Sequence, residues 1–270
     1  MTTEYAILFW AVAALYALAA AGQVHGEIFA GNRWSRRAIH LLYAGLAGHT
    51  VLIAWRWLLT SHVPTIGTFE NTLAGSWFVA ATTVWAGRGR NHPLLAAVTL
   101  PFALILLGVG GLSDSTPGPL VGALQSSWLI IHIFFAWLAY GAYTVACGAS
   151  ILYLVQSRPG RAVAQEALDR LEELSFRTTL FGFVMAVVMI AAGALWAKNL
   201  WGAYWSWDPV ETWALISWLI YGLALHLRAT RGWRGRRFAW LLVAAIIAVI
   251  ISFWGVELLA EGTEHFLNIG

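Results

Sequence analysis

Apolar runs of about 17–25 residues, long enough to cross a bilayer as helices, recur along this chain. They lie near residues 5–22, 39–60, 71–87, 93–112, 128–155, 177–197, 210–228 and 237–256. Lipid offers no partner to backbone N–H and C=O groups, so each run must satisfy its own backbone as a helix. The fold class follows: an all-α, polytopic integral membrane protein of about eight transmembrane helices, organised as a single membrane domain over 1–270. Composition agrees, since 60% of the residues are hydrophobic and only 11% charged, against about 25% charged in soluble domains. MTTEY lacks the positive n-region of a signal peptide. The later ALAAAG imitates a cleavage site, but the first run reads as an uncleaved span.

Arginine placement sets the orientation. Fourteen of the sixteen Lys and Arg follow the first, third, fifth and seventh runs: Arg33, Arg36 and Arg37; Arg88 and Arg90; Arg158, Arg161, Arg170 and Arg177; and Arg228, Arg231, Arg234, Arg236 and Arg237. Positive loops stay inside, so these are expected to be cytoplasmic and both termini extracytoplasmic. The pI near 9.2 then belongs to these loops and needs no nucleic acid. The cytoplasmic loop 156–177 carries Leu168, Leu171 and Leu174 at helical spacing beside Glu172 and Glu173, the pattern of a short amphipathic helix.

On the opposite face, between the sixth and seventh runs, residues 201–213 read WGAYWSWDPVETW. An interfacial aromatic belt accounts for one or two tryptophans. It does not readily account for Trp196, Trp201, Tyr204, Trp205, Trp207 and Trp213 together within the loop 196–213. Asp208-Pro209-Val210-Glu211 has the form of a helix start, with Asp at the N-cap, Pro at the first helical position and Glu three residues after the cap. Asp208, Pro209 and Glu211 are therefore expected to be structural, with no catalytic residue among them.

Eight histidines remain to be placed. His132 opens the fifth run at its outer end, and His265 lies beyond the eighth, at the same level as the aromatic loop. Two neutral imidazoles facing each other across an aromatic cradle form an axial pair for haem iron. His49, in the middle of the second run, and His226, near the inner end of the seventh, sit where an ionisable group is costly and defaults to function. They could ligate a second haem, with His40 competing as the partner of His226. His25 and His92 fall in cytoplasmic loops. Arg56 and Lys198 are the only extracytoplasmic cations, suited to haem propionates or to interfacial snorkelling. The single cysteine, Cys147, excludes an internal disulfide, a CxxC pair and a CxxCH, and reads as a packing residue.

The segment LWAKNLWGAYWSWDPVETWALISWLIYGLALHLR (195–228) resembles the tryptophan-rich WWD signature of haem-handling membrane proteins, most closely in the CcsA (ResC) branch of system II cytochrome c biogenesis. RWLLTSHVPTIGTFENTL (56–73) is similar to that family's loop after its second span. The resemblance implies haem b ligated by histidine pairs, His132 with His265 outside and His49 with His226 in the membrane. It also implies delivery of haem to the outer face and attachment to the CxxCH of apocytochrome c with a CcsB (ResB) partner, as one component of a holocytochrome c synthase. A bacterial plasma membrane is the expected setting, and a thylakoid membrane fits the same features. The second reading is a HemX-like regulator of haem synthesis or a haem chaperone that attaches nothing. A transporter of another small molecule would leave the aromatic loop without a purpose.

Overall fold

A computed structural model describes residues 1–30, 32–88, 94–118, 122–161 and 163–255. Eight long helices carry the fold: α1 (Thr3–His25), α2 (Asn32–Thr60), α3 (Gly67–Gly87), α4 (Leu95–Leu112), α5 (Ser127–Gln156), α6 (Gln165–Trp201), α7 (Pro209–Arg231) and α8 (Gly235–Ile250). A π-helical turn follows α1 and another extends α8, and no strand occurs among the described residues. The chain divides into two compact units, Met1–Gln125 and Ser126–Gly270.

Seven of the eight helices are long and apolar enough to cross a membrane. The protein is thus an integral membrane protein, with one helix fewer of that character than the eight apolar runs imply. The exception is α3. At 21 residues it is about 30 Å long at 1.5 Å per residue, so length is not the reason. Polarity is: Glu70, Thr72, Ser76, Thr82 and Thr83 are all buried. The threonines return their hydroxyls to carbonyls one turn back (Thr72 to Thr68 and Thr82 to Phe78 at 2.7 Å) or across to α4 (Thr83 to Thr99 at 2.9 Å). A helix that faces protein on most sides can carry such residues, because its neighbours rather than lipid surround them.

In the first unit α1 packs on α2 and on α4, and α3 on α4 and α2. Phe9, Tyr16, Leu42, Phe69 and Leu100 form its buried core. A methyl group on Gly45 would stand 2.8 Å from the Tyr16 ring, so glycine there lets α2 close on α1.

In the second unit α5 packs along α6 and α8, and α7 packs on α6 and α8. Hydrophobic force is weak between helices in lipid, and small residues that permit close approach take its place. The buried run from Gly141 to Ser150 in α5 is of this kind, and Cys147 is one of its members.

The amphipathic segment after α5 does not form a separate helix. It is the first part of α6, which runs unbroken for 37 residues, about 55 Å. No Gly or Pro interrupts 165–181, and the pairs Glu166–Arg170 and Glu173–Arg177 support it one turn apart. Glu172 anchors it. One carboxylate oxygen takes Arg228 of α7 at 2.6 Å and the other the backbone N–H of Gly235 at 2.9 Å. The Arg228 guanidinium lies over the rings of Phe176 and Phe238.

Candidate functional site

The second unit builds the aromatic loop from two helix ends. α6 stops at Gly202, whose left-handed backbone (φ 79°) closes the helix. Lys198 on the last turn donates to the Gly202 carbonyl at 2.6 Å and lies 5.5 Å from the centre of the Tyr204 ring. α7 starts at Asp208, whose side chain accepts the Glu211 N–H at 2.8 Å, with Pro209 next in the helix. Glu211 reaches back beyond the cap. Its Oε2 accepts the backbone N–H groups of Ser206 at 2.7 Å and Trp207 at 2.9 Å, and the Ser206 hydroxyl at 3.3 Å. Trp207 has φ 61°, a left-handed conformation uncommon outside glycine, and the Glu211 carboxylate holds it there.

Beside this loop lies a cleft of about 690 Å³, counting space open to solvent, lined by His132 of α5, Met189, Trp196 and Trp201 of α6, and Trp205 and Glu211. Trp196 and Trp201 meet edge to face at 5.3 Å, and Trp205 and Trp207 at 5.8 Å. The Trp205 indole Nε1 is buried without a hydrogen-bond partner among the described residues, leaving a donor for a ligand. His132 Nδ1 lies 2.9 Å from the Met189 carbonyl oxygen. A carbonyl only accepts, so Nδ1 carries the hydrogen and Nε2 of the neutral ring carries the lone pair, the form that binds a metal. The chemistry of the cleft, flat apolar walls with an imidazole and one spare N–H, fits a porphyrin.

The structure brings together His132, Trp196, Trp201 and Trp205. Tyr204 and Trp207 are exposed on the loop, and Trp213 is half-buried on α7 outside the cleft lining. His265 lies outside the described residues, as does His92. Met189 and Ile190 of the cleft floor had no signal in the sequence, because apolar residues on a spanning helix look the same whether they face lipid or a ligand.

The other expected residues are distributed between the units. His49 is fully buried in the first unit, with Nδ1 hydrogen-bonded to Tyr16 Oη at 3.1 Å. His40 is exposed on α2 in that unit, and His226 is exposed near the end of α7 in the second. Arg56, expected to face propionates, is 5% exposed. Its Nε meets Glu70 at 2.7 Å and its Nη1 donates to the Ser115 carbonyl at 2.8 Å. Glu70, to which the sequence reading gave no role, also accepts the Ile66 N–H at 3.0 Å. His62 is nearly buried in the same region, its Nδ1 donating to the Val63 carbonyl at 3.0 Å. Arg56 and Glu70 thus brace the loop between α2 and α3.

Known proteins resemble the chain along most of its length. The CcsA cytochrome c biogenesis protein of Synechococcus sp. (strain RCC307) is 35% identical over 252 residues, covering 80% of each chain. That of Gloeobacter violaceus is 33% identical over 277 residues, covering 80% of this chain and 82% of its own. That of Guillardia theta is 32% identical over 243 residues, with 80% and 81% covered. Among solved structures, the cytochrome c heme lyase CcmF superposes with a TM-score of 0.69 over 92% of this chain and 46% of its own. At 18% identity that likeness concerns the fold. The family model for cytochrome C assembly proteins matches residues 66–264, a span that includes α3 to α8 and the whole aromatic loop. The chain belongs to the cytochrome c assembly protein family.

Proposed function

We propose that this membrane protein of cytochrome c biogenesis holds haem b in the cleft beside α6 and presents it, with a CcsB (ResB)-type partner, to the CxxCH of an apocytochrome c. The observation that carries this is His132, whose Nδ1 donates to the Met189 carbonyl so that Nε2 is the ring's metal-binding nitrogen, at the wall of a cleft lined by Trp196, Trp201 and Trp205. Haem is here the substrate, supplying the iron and two vinyl groups to which the CxxCH thiols add. The protein's part is orientation and exclusion of water. The tryptophans bear on the flat faces, and the Trp205 N–H and Lys198 suit the acidic edge. His265, which lies outside the described residues, would be the second histidine to hold the iron, and two histidine ligands would exclude oxygen from it.

The arginine asymmetry supports placing the loop on the extracytoplasmic face, of a bacterial plasma membrane or a thylakoid membrane. For a second, membrane-level haem, His226 is the accessible ligand. His49 is fully buried and hydrogen-bonded to Tyr16.

Haem content tests the reading. The purified wild type is expected to carry haem with a low-spin spectrum, and His132→Ala to lose it. A His132→Ala variant with the wild-type spectrum overturns the proposal. Attachment itself is read in a host lacking its own haem-attachment system. Matured c-type cytochrome should appear only when this protein and a CcsB-type partner are both supplied, and a HemX-like regulator would give none.

A further inference from the structure

His132 occupies a notch in α6. A methyl group on Gly193 would stand 2.7 Å from His132 Nδ1 and 3.1 Å from Cε1, closer than side chains tolerate. The same ring nitrogen donates to the carbonyl of Met189 at 2.9 Å, four residues earlier and so on the same face one turn away. Gly193 and His132 both line the cleft. Any side chain at 193 would push the imidazole off the helix and break its bond to Met189. Backbone conformation does not demand glycine here, since position 193 is ordinary helix in the middle of α6, where glycine costs about 1 kcal/mol relative to alanine. The demand comes from the ring.

We propose that Gly193 is a positioning residue for haem ligation, admitting His132 to the notch so that Met189 fixes its tautomer, its ring orientation and its basicity. This rests on the haem-presenting reading above. An imidazole whose N–H is held by a carbonyl is a stronger donor to the metal and favours ferric over ferrous iron. The notch thus sets both how tightly haem is held and at what potential.

The test uses the purified full chain titrated with haem, following the spin state, the dissociation rate and the midpoint potential of the bound haem. Gly193→Ala is expected to give a mixture of high- and low-spin haem, a higher midpoint potential, and affinity lower by about tenfold or more, the range seen when a ligand histidine loses its supporting partner. Gly222→Ala is the packing control. Its added methyl would stand 3.0 Å from the Phe183 ring in the same unit, away from His132, and the haem spectrum should stay wild-type. A folded Gly193→Ala protein with wild-type spectrum, affinity and potential overturns the inference, as does an equal change in Gly222→Ala. Should Gly193→Ala fail to fold, histidine methylated at Nδ1 and incorporated at position 132 removes the donor while leaving Nε2. Its midpoint potential should rise, and an unchanged potential overturns the inference. If His132→Ala keeps the wild-type spectrum, the haem reading falls and this inference with it. If His132→Ala loses haem while Gly193→Ala is silent, only the role of Gly193 falls.

Discussion

The Glu211 carboxylate holds the backbone N–H of Trp207 at 2.9 Å and that of the preceding Ser206 at 2.7 Å, so the start of α7 and the shape of the aromatic loop are one structure. A capping box ordinarily returns its third-position acid to the cap residue. Here the acid reaches one and two residues further out, where the left-handed turn at Trp207 needs it. The loop's rings are therefore positioned by a carboxylate at the edge of the same cleft.

Glu211→Ala should release that turn. The expected outcome is a loss of about 1 kcal/mol of stability, typical of a lost cap, together with a faster loss of haem from the purified protein. Glu211→Gln keeps one acceptor oxygen and should retain most of both. Haem retention in Glu211→Ala equal to the wild type would show that the loop holds its shape without the carboxylate.

Arg56 and Glu70 form a buried pair, with side chains 6% and 2% exposed. Removing one partner strands the other charge, so Arg56→Met should destabilise the first unit by about 3–5 kcal/mol, whereas Arg56→Met with Glu70→Met should recover much of the loss. Thermal unfolding in detergent reads both. A propionate contact predicts a different pattern, in which the double variant recovers stability but still binds haem weakly.

The aromatic loop, the cap and the helix count were largely legible in the sequence, because period, length and turn chemistry are local properties. What was not legible was partnership. Nothing in the sequence said that Glu70, fourteen residues after Arg56, would pair with it; scarcity on that face suited the arginine to a propionate or to snorkelling alike. The unbroken α6 was obscured by the change from an amphipathic to an all-apolar pattern at about residue 177, which alters the solvent but not the helix. The polar character of α3 marks burial against protein rather than exposure to lipid, a distinction that requires its neighbours. Gly193 was hidden among small residues of a spanning helix until His132 was found against it.

Lys198 is exposed and already donates to the Gly202 carbonyl. If it also meets a propionate, Lys198→Met should weaken haem binding by only about two- to fivefold, as for exposed ion pairs, with most of the difference gone at high salt. Titrations at two ionic strengths decide this. A loss that persists at high salt would locate the lysine's contribution in the packing of Tyr204 instead.

Tyr16 and His49 give the last prediction, which separates a structural from a ligating role for a buried histidine. Their hydrogen bond of 3.1 Å joins α1 to α2. Tyr16→Phe leaves His49 Nδ1 buried and unpaired and should cost about 1–3 kcal/mol, while Tyr16→Phe with His49→Leu removes both polar groups and should cost much less. If His49 is purely structural, the double variant folds and keeps every haem signal of the wild type. If His49 ligates a membrane-level haem, the same variant is equally stable but lacks one low-spin haem per chain, a difference that quantitative haem analysis detects directly.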